Sequence, residues 1–424
     1  SPSFDYRFAD GSNVKFANLS RKETLDAITA SFGAESAAQW DRIMKRAERM
    51  WDVSRVPFVE SELKSPLSLI KRITFMRDMK IIAPWKTLRQ HADEILKDQR
   101  LRFIMDRYAT YSGSDPRKAP AVLSTIAFVE ESFGAWHVKG GLGNLTTTVH
   151  QRAVDVGVTF HLNSPVASIQ TTGNKASGVV LADGTIVNAD AVIANADASL
   201  VYNRLITGHK RALKKARKNI ANADVSVAGF SLLLGISKDP EQVLNHHTIL
   251  FPENYDAEFD AIFTTQTPVK DPTIYLCAPS DSAMVKEAGA ESIYVLVNAP
   301  VHDATGKNGW NWNDHEFNRE YANSIINQIE ARGIAIRDRL DVLEIRTPAD
   351  LERSVNAPGG AIYGTSSNGA KSAFLRARNR SPLKGLYCVG GSAHPGGGLP
   401  LVGLSAEIVA NAIGNTQNAS RLLH

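Results

Sequence analysis

The sequence contains little cysteine, little net charge and no long apolar segment. Its two cysteines, Cys277 and Cys388, stand far apart and outside any C-x-x-C or zinc-like spacing, which argues against disulfides and metal sites and favours a reducing, cytoplasmic setting. The formal net charge is +4, so the composition carries no overall signature of nucleic-acid binding. No apolar run approaches the roughly 18 residues that a bilayer-spanning helix needs. We therefore expect no metal, no nucleic acid and no transmembrane span.

The motifs of several common enzyme classes are missing as well. His315-Glu316 lacks the second histidine of a zinc-protease helix, and no G-x-S-x-G or P-loop occurs. The adjacent His246 and His247 are interpreted as structural residues. These absences exclude the hydrolases and nucleotide-dependent enzymes that such motifs identify.

The composition is that of a folded protein. The chain has 424 residues, of which 43% are hydrophobic and 22% charged, enough for two or three structural units. Periodicity predicts a strand hairpin over residues 4–17 and, from the capping residue Ser20, helices to about Tyr111. Later segments alternate between the helical and the strand periodicity of apolar residues. They predict a helix ending near Gly157, a strand over 158–162, a meander over 166–187, a buried strand over 191–194, strands at 226–236, 248–251, 273–276, 294–298 and 343–346, and a helix over 312–332.

Two segments combine helical patterning with clustered positive charge. Residues 64–88 mix large apolar side chains with lysines and arginines, which is typical either of a helix in a membrane interface or of a core helix with a solvated basic face. Residues 209–218 are basic, which most simply indicates a solvated helix face and alternatively a surface for anionic membranes.

The strongest local signal lies near the end of the sequence. An apolar strand over 386–389 leads into a turn with five glycines between Gly390 and Gly398, and Pro400 then opens a helix that runs to residue 413. Glycine lets backbone approach a flat or charged ligand, and a helix N-terminus favours an anion. A tight connection with nothing bound is the alternative, but so many glycines favour a ligand site.

Three segments, taken together, are specific enough to indicate a family. Residues 133–145 contain Gly-Gly-Leu-Gly, residues 163–197 contain the meander and end in Asn-Ala-Asp, and residues 390–400 read Gly-Gly-Ser-Ala-His-Pro-Gly-Gly-Gly-Leu-Pro. They resemble the carotenoid (phytoene) desaturase branch of the amine-oxidase-like flavoproteins, whose C-terminal signature is G-x-x-x-H-P-G-x-G-x-P. Residues 347–350 and 359–364 fit the same pattern, so the resemblance covers nearly the whole chain.

The resemblance implies FAD as the cofactor and suggests which residues bind it. These are Val166 at the adenine end, Ala194 and Asn195 near the adenosine and pyrophosphate, Gly390 and Gly391 along the pyrophosphate and ribityl chain, and Pro400, Leu401 and Val402 at the helix start, where backbone N–H groups face the isoalloxazine edge. Lys139 and His394 are the candidates for electrostatic assistance in catalysis. A surface lysine and a loop-bracing histidine are the simpler interpretations of those two.

The resemblance also implies a domain arrangement. The expected fold class is α/β with mixed α+β character: a partial FAD-binding Rossmann-like domain with a β-meander, a substrate-binding mixed-sheet domain and a helical subdomain. Residues 1–20 and 221–375 would form the sheet domain, 21–138 a helical, membrane-facing subdomain, 139–220 and 376–415 the later part of the FAD-binding domain, and 416–424 a tail. The family's opening G-x-G-x-x-G occurs nowhere in the sequence, so we expect a chain that lacks this unit and binds FAD weakly.

The function implied is FAD-dependent dehydrogenation of an acyclic carotenoid or other isoprenoid such as phytoene, by hydride transfer to flavin N5. The expected protein is cytoplasmic and associates peripherally with the membrane surface that holds its polyene substrate. Another oxidoreductase of the same superfamily, such as an amine or protoporphyrinogen oxidase, remains an alternative. So does a cofactor-free, inactive fragment. The oligomeric state does not follow from the sequence.

Overall fold

A computed structural model describes residues 2–63 and 74–414. Within these ranges the strands are β1 (Pro2–Arg7), β2 (Asn13–Ala17), β3 (Val166–Thr172), β4 (Lys175–Leu181), β5 (Ile186–Asn188), β6 (Val192–Ala194), β7 (Ala228–Ser237), β8 (His247–Leu250), β9 (Ile274–Cys277), β10 (Ala290–Ala299), β11 (Leu340–Arg346) and β12 (Leu386–Cys388). The α-helices are α1 (Arg21–Phe32), α2 (Ala34–Arg55), α3 (Phe75–Ile82), α4 (Leu88–Ile95), α5 (Gln99–Thr110), α6 (Thr125–Phe133), α7 (Leu142–Asp155), α8 (Ala198–Leu200), α9 (Lys210–Ala221), α10 (Asp256–Asp260), α11 (His315–Ala331), α12 (Pro348–Val355), α13 (Ser372–Leu375) and α14 (Leu399–Ile413). The mixed α/β class predicted from the sequence is confirmed.

A seven-stranded mixed sheet in the order β11-β7-β10-β9-β8-β1-β2 is the largest sheet of the described chain. β1 pairs in parallel with β8, whereas the other neighbouring strands pair antiparallel. One face buries Leu232, Val295 and Leu276 against α11, which contributes Ile325 and Ile329. On the opposite face Leu233 and Tyr294 are exposed, so that part of the sheet can contact a ligand.

The helical region α1–α6 packs on the hairpin edge of this sheet. Ser20 caps α1, because its hydroxyl accepts the Glu23 N–H at 3.3 Å. Trp40 and Ile43 on α2 share one buried core with Tyr6 and Phe16 of the hairpin. The core thus fixes where the helices stand relative to the sheet.

Two smaller sheets form the third part of the molecule. β6 and β12 pair in parallel, although 191 positions separate Ala194, the last residue of β6, from Gly385, the residue before β12. β3, β4 and β5 form the antiparallel meander. Backbone bonds from Ala176 N–H to the Lys384 carbonyl and from Val192 N–H to the Gly385 carbonyl, both 2.8 Å, attach the meander and β6 to the entry of β12. This arrangement brings two distant segments to the glycine-rich turn.

Some sequence predictions were wrong in detail. The predicted strand at 158–162 is irregular, because no described strand supplies hydrogen bonds to it. The helix predicted over 312–332 begins at His315, since the Asp314 carboxylate accepts the N–H groups of Glu316 and Phe317. Most other predicted elements recur with boundaries shifted by a few residues. The predicted tail, 416–424, lies outside the described residues.

The basic, apolar segment predicted at 64–88 is described only from residue 74 onward; residues 64–73 lie outside the description. Its described part contains α3, in which Asp78 is the buried residue. Met76 is 68% exposed and Trp85 63% exposed, so these two apolar side chains are not part of a core. Within residues 2–63 and 74–414, no helix is both long and apolar enough to cross a membrane.

Candidate functional site

The glycine-rich turn starts where β12 ends beside β6. Cys388 aligns with Ala194 across the two parallel strands, and the Val389 N–H donates to the Ala194 carbonyl at 3.1 Å. The turn and Asn195 therefore leave the sheet side by side. Ligands of open α/β sheets bind at this kind of place, outside the carboxyl ends of parallel strands.

Gly390 adopts a conformation that other residues rarely reach. Its φ is +93°, and a Cβ at this position would lie 2.1 Å from the Asn195 side-chain oxygen. Gly391 is different, because the nearest atom to a Cβ there would be the Gly397 Cα at 3.5 Å, an ordinary contact. Packing within the protein thus requires glycine at 390 but leaves room at 391.

Two buried polar side chains hold the turn in shape. The Asn379 amide donates to the carbonyls of Cys388 and His394, at 3.2 and 2.8 Å. The Ser405 hydroxyl donates to the His394 carbonyl at 2.8 Å and accepts the Gly390 N–H at 3.3 Å. The backbone of the turn is therefore fixed in advance of any ligand.

Arg376 places a buried positive charge under the same turn. Its guanidinium donates to the carbonyls of Tyr363, Thr365 and Gly391 at 2.6 to 3.1 Å. Burial lowers the pKa of Arg376 to about 10, an effect that the Asp197 carboxylate partly opposes. The side chain remains cationic near pH 7 and makes an anion in the turn more favourable.

The N-terminus of α14 is open. Gly398, the N-cap residue, has a φ of +100° and, as a glycine, no side chain that could accept the first N–H groups of the helix. Pro400 is exposed and has no N–H to offer. The Val402 N–H already donates to the Gly398 carbonyl at 2.9 Å, which leaves the Leu401 N–H as the better placed of the two donors suggested by the sequence.

The remaining residues singled out from the sequence lie in different settings. His394 is buried, its Nε2 lies 3.0 Å from the Ser61 carbonyl oxygen, and burial lowers its pKa, as expected for a neutral, bracing residue. The Lys139 side chain is exposed, and the Lys139 carbonyl accepts the Asn144 amide at 2.8 Å. Val166 begins β3 in the meander, a separate sheet from β6 and β12. The structure brings Ala194, Asn195 and the turn together, and a role for Val166 in cofactor binding stays a prediction.

An apolar and aromatic surface leads from the turn to the open face of the large sheet. The Tyr363 ring packs on Gly397, where a Cβ would lie 2.3 Å from its Cδ1. Ile362 meets Leu296 above Gly229, since both side chains lie within 3.1 Å of the Cβ position there. Leu233 and Tyr294, cross-strand partners, are 40% and 39% exposed. This strip is hereafter called the open sheet face.

The sequence did not reveal Arg376, Asn379 or Tyr363 as site residues. Tyr363 lies in one of the segments that resembled the family, but nothing marked it as a contact of the turn. Arg376 and Asn379 stand in an irregular stretch before β12, where no periodicity draws attention to them. Their carbonyl acceptors come from two separate segments, residues 363–365 and 388–394, which only the folded chain brings together.

Comparisons with known proteins agree with this geometry. Residues 10–230 match the family model described as flavin containing amine oxidoreductase. A 1-hydroxycarotenoid 3,4-desaturase of a Flavobacterium species is 32% identical, over 97% of this chain and 82% of the relative. A 4,4'-diapolycopene oxygenase of a Methylomonas species is 29% identical, over 96% and 80%. Cyclohexylamine oxidase from Brevibacterium oxydans shares the fold, with a TM-score of 0.57 at 13% identity over 98% of this chain and 82% of that one.

The family match and the carotenoid-converting relatives, together with this fold, show an oxidoreductase of the flavoprotein class. The chain belongs to the family of flavin-containing amine oxidoreductases, and within it resembles carotenoid desaturases and oxygenases. The family resemblance predicted from the sequence is therefore confirmed.

The residues present fit a flavin at this turn. The positions that a ligand would approach are open, because no atom lies within 4 Å of a Cβ at Gly398 or Gly403. An uncapped helix N-terminus and the Arg376 cation favour negative charge there. That Ala194, Asn195, Gly391 and Leu401 bind such a group stays a prediction.

Proposed function

We propose that this protein is a FAD-dependent desaturase that acts on an acyclic carotenoid or a similar isoprenoid polyene. The proposal rests on one observation above the others: the fixed glycine-rich turn continues, through Tyr363, into the apolar open sheet face. Two relatives named as carotenoid enzymes, at 32% and 29% identity, support the same substrate class.

The residues of the chain would bind and orient the substrate rather than exchange protons with it. Leu233, Leu296 and Ile362 offer apolar contacts to a long hydrocarbon, and packing of such a chain on them excludes water. Tyr363 stands between this face and the turn. Bound FAD would supply the two-electron oxidation, in which the substrate loses a hydride to the cofactor and a proton from the adjacent carbon to solvent.

The turn would hold the cofactor through fixed charge and backbone groups. Arg376 and the N-terminus of α14 both favour the negative charge that a reduced flavin carries. The buried, neutral His394 keeps the turn attached to Ser61, and its proposed role is positioning. The Lys139 side chain is exposed, so we propose no catalytic role for it.

The protein is further proposed to work at the cytoplasmic surface of a membrane. A polyene dissolves in lipid, and α3 with the loop after it exposes Met76 and Trp85 beside Arg77 and Lys80. Exposed aromatic and basic groups together are typical of segments that bind an anionic interface.

The decisive experiment expresses the gene, with all of its natural coding sequence, in bacterial cells that accumulate acyclic carotenoids. A product lighter by two hydrogens per turnover supports desaturation. A product that gains oxygen would instead support an oxygenase like the Methylomonas relative. A Leu233→Glu variant places a charge on the open sheet face and should lose the product while it retains flavin. Unchanged carotenoids in cells that contain yellow, folded protein would contradict the proposal.

A further inference from the structure

Three potential metal ligands converge at one edge of the open sheet face. One ligand atom from each of His246, His247 and Cys277 lies within 4.8 Å of the other two, and all three residues are half-buried. His247 and Cys277 are cross-strand partners on β8 and β9, and the Ala278 N–H donates to the His246 carbonyl at 2.9 Å. Strand pairing, and not the sequence spacing, assembles this group.

Two histidines and one cysteine are ligands that a sulfur-binding cation such as Zn²⁺ prefers. Zn²⁺ binds thiolate sulfur at about 2.3 Å and imidazole nitrogen at about 2.0 Å in tetrahedral geometry. Ligand atoms in such a site lie roughly 3.3–3.5 Å apart, as these bond lengths require. Small side-chain rotations therefore suffice to bring the three atoms into place. Two imidazoles and one thiolate would supply three of the four ligands of such a site, which leaves the fourth position open to water.

A neighbouring tyrosine is placed as a supporting residue for such a site. The Tyr275 hydroxyl lies 2.8 Å from His247 Nδ1 and is also within hydrogen-bond reach of the Cys277 thiol. If His247 donates its Nδ1 proton to the phenol oxygen, its Nε2 lone pair is free to bind a metal. The phenol proton can then point to the sulfur and stabilise a thiolate. Metal-bound histidines are usually held by an outer hydrogen bond of this kind.

The surroundings also hold the imidazoles in place. The Phe4 ring stacks on His247, with centroids 5.0 Å apart. His137 packs against His246 at 5.1 Å and is itself 2.8 Å from the Asp281 carboxylate, which adds negative charge near the group.

We propose that His246, His247 and Cys277 form a binding site for Zn²⁺, with Tyr275 as the positioning residue. No metal was expected from the sequence, because Cys277 stands 30 positions after His247 and no local spacing links the cysteine to the two histidines. Binding replaces the thiol proton of Cys277 by the metal, and the proton leaves to solvent. The site does not depend on the proposed desaturase activity.

The test uses the purified protein after removal of metals with a chelator. Titration with Co²⁺, a spectroscopic substitute for Zn²⁺, should give a thiolate-to-cobalt charge-transfer band that saturates near one metal per chain. Zn²⁺ should abolish this band by displacement, whereas Mg²⁺ should have no effect, because it prefers oxygen ligands.

The variants separate this site from nonspecific uptake. Cys277→Ser should abolish the charge-transfer band, and His246→Gln should weaken binding at least tenfold. Tyr275→Phe should retain the band but weaken binding. Cys388→Ala, which removes the only other cysteine, and His315→Gln on the exposed start of α11 should bind as the unaltered protein does. A band that persists in Cys277→Ser, or no saturable uptake by the folded protein, would overturn the proposal.

Discussion

The ring of Tyr363 occupies the space that a side chain at Gly397 would need, since a Cβ there would lie 2.3 Å from the tyrosine Cδ1. This contact joins the glycine-rich turn to the open sheet face. The two surfaces therefore meet directly, as the positioning of a cofactor against a long substrate requires.

The contrast between Gly397 and Gly391 gives the first prediction. Gly397→Ala should displace Tyr363 and destabilise the protein by about 1–3 kcal/mol, as overpacked positions do. Gly391→Ala should leave the unfolding free energy nearly unchanged, because its Cβ meets only Gly397 Cα at 3.5 Å. If the cofactor approaches Gly391, the same substitution, and more strongly Gly391→Val, should lower flavin content. Denaturant unfolding and the visible flavin spectrum measure the two effects. Full flavin retention in Gly391→Val would place the cofactor elsewhere.

Arg376 should stabilise the fold through its hydrogen-bond geometry as well as through its charge. Arg376→Lys keeps a cation but cannot reach the three carbonyls that the guanidinium bonds, so buried acceptors lose partners at about 1–3 kcal/mol each. We expect a fall of roughly 3 kcal/mol in unfolding free energy and weaker flavin retention. In protein that still holds flavin, the reduction potential should fall further in Arg376→Met than in Arg376→Lys, because only the former removes the charge. Equal potentials in the two variants would mean that Arg376 acts through structure alone.

Local signals explain which parts of this structure were predictable. Ser20 and Pro400 mark helix starts through their own chemistry, and a run of glycines marks a turn wherever it stands. By contrast, residues 158–162 alternate as a strand does, yet a strand forms only where a partner supplies hydrogen bonds. The roles of Arg376 and Cys277 depend on loops and strands that are distant in sequence. No local pattern encodes such contacts.

A buried carboxyl group should make stability depend on pH. Glu258 on α10 is fully buried, and burial raises its pKa to about 7, although the Asn298 amide at 2.9 Å and the Thr273 N–H at 2.7 Å favour the charged form. A pKa raised in the folded state stabilises the protein fully below the unfolded value, near 4.5. This contribution is lost as pH rises through about 7. The difference between the folded and unfolded pKa values corresponds to a change in unfolding free energy on the order of 3 kcal/mol.

Glu258→Gln tests this assignment. Its amide oxygen can accept the Thr273 N–H, and its NH₂ group can donate to Asn298 once that amide is reversed. Urea unfolding between about pH 5 and pH 8 should show stability that declines with pH in the unaltered protein and declines less in the variant. Other buried acids such as Asp106 are present in both proteins, so they cancel in the comparison. Parallel pH profiles for the two proteins would rule out Glu258 as the titrating group.

The exposed apolar groups around α3 should bind anionic membranes. Met76 and Trp85 are 68% and 63% exposed, and the Arg77 side chain is 69% exposed beside them. Insertion of the apolar pair and attraction of the basic side chains act together, so vesicles with anionic phosphatidylglycerol should carry the protein upward in flotation at low salt. High salt should weaken this binding, because it screens the charges but not the apolar contacts. Met76→Ser with Trp85→Ser should reduce flotation severalfold, and Arg77→Gln with Lys80→Gln should remove most of its salt dependence. Val243→Ser, at an equally exposed apolar residue before β8, is the matched control and should float normally. If the Met76/Trp85 double variant floats as well as the control, this surface does not bind the membrane.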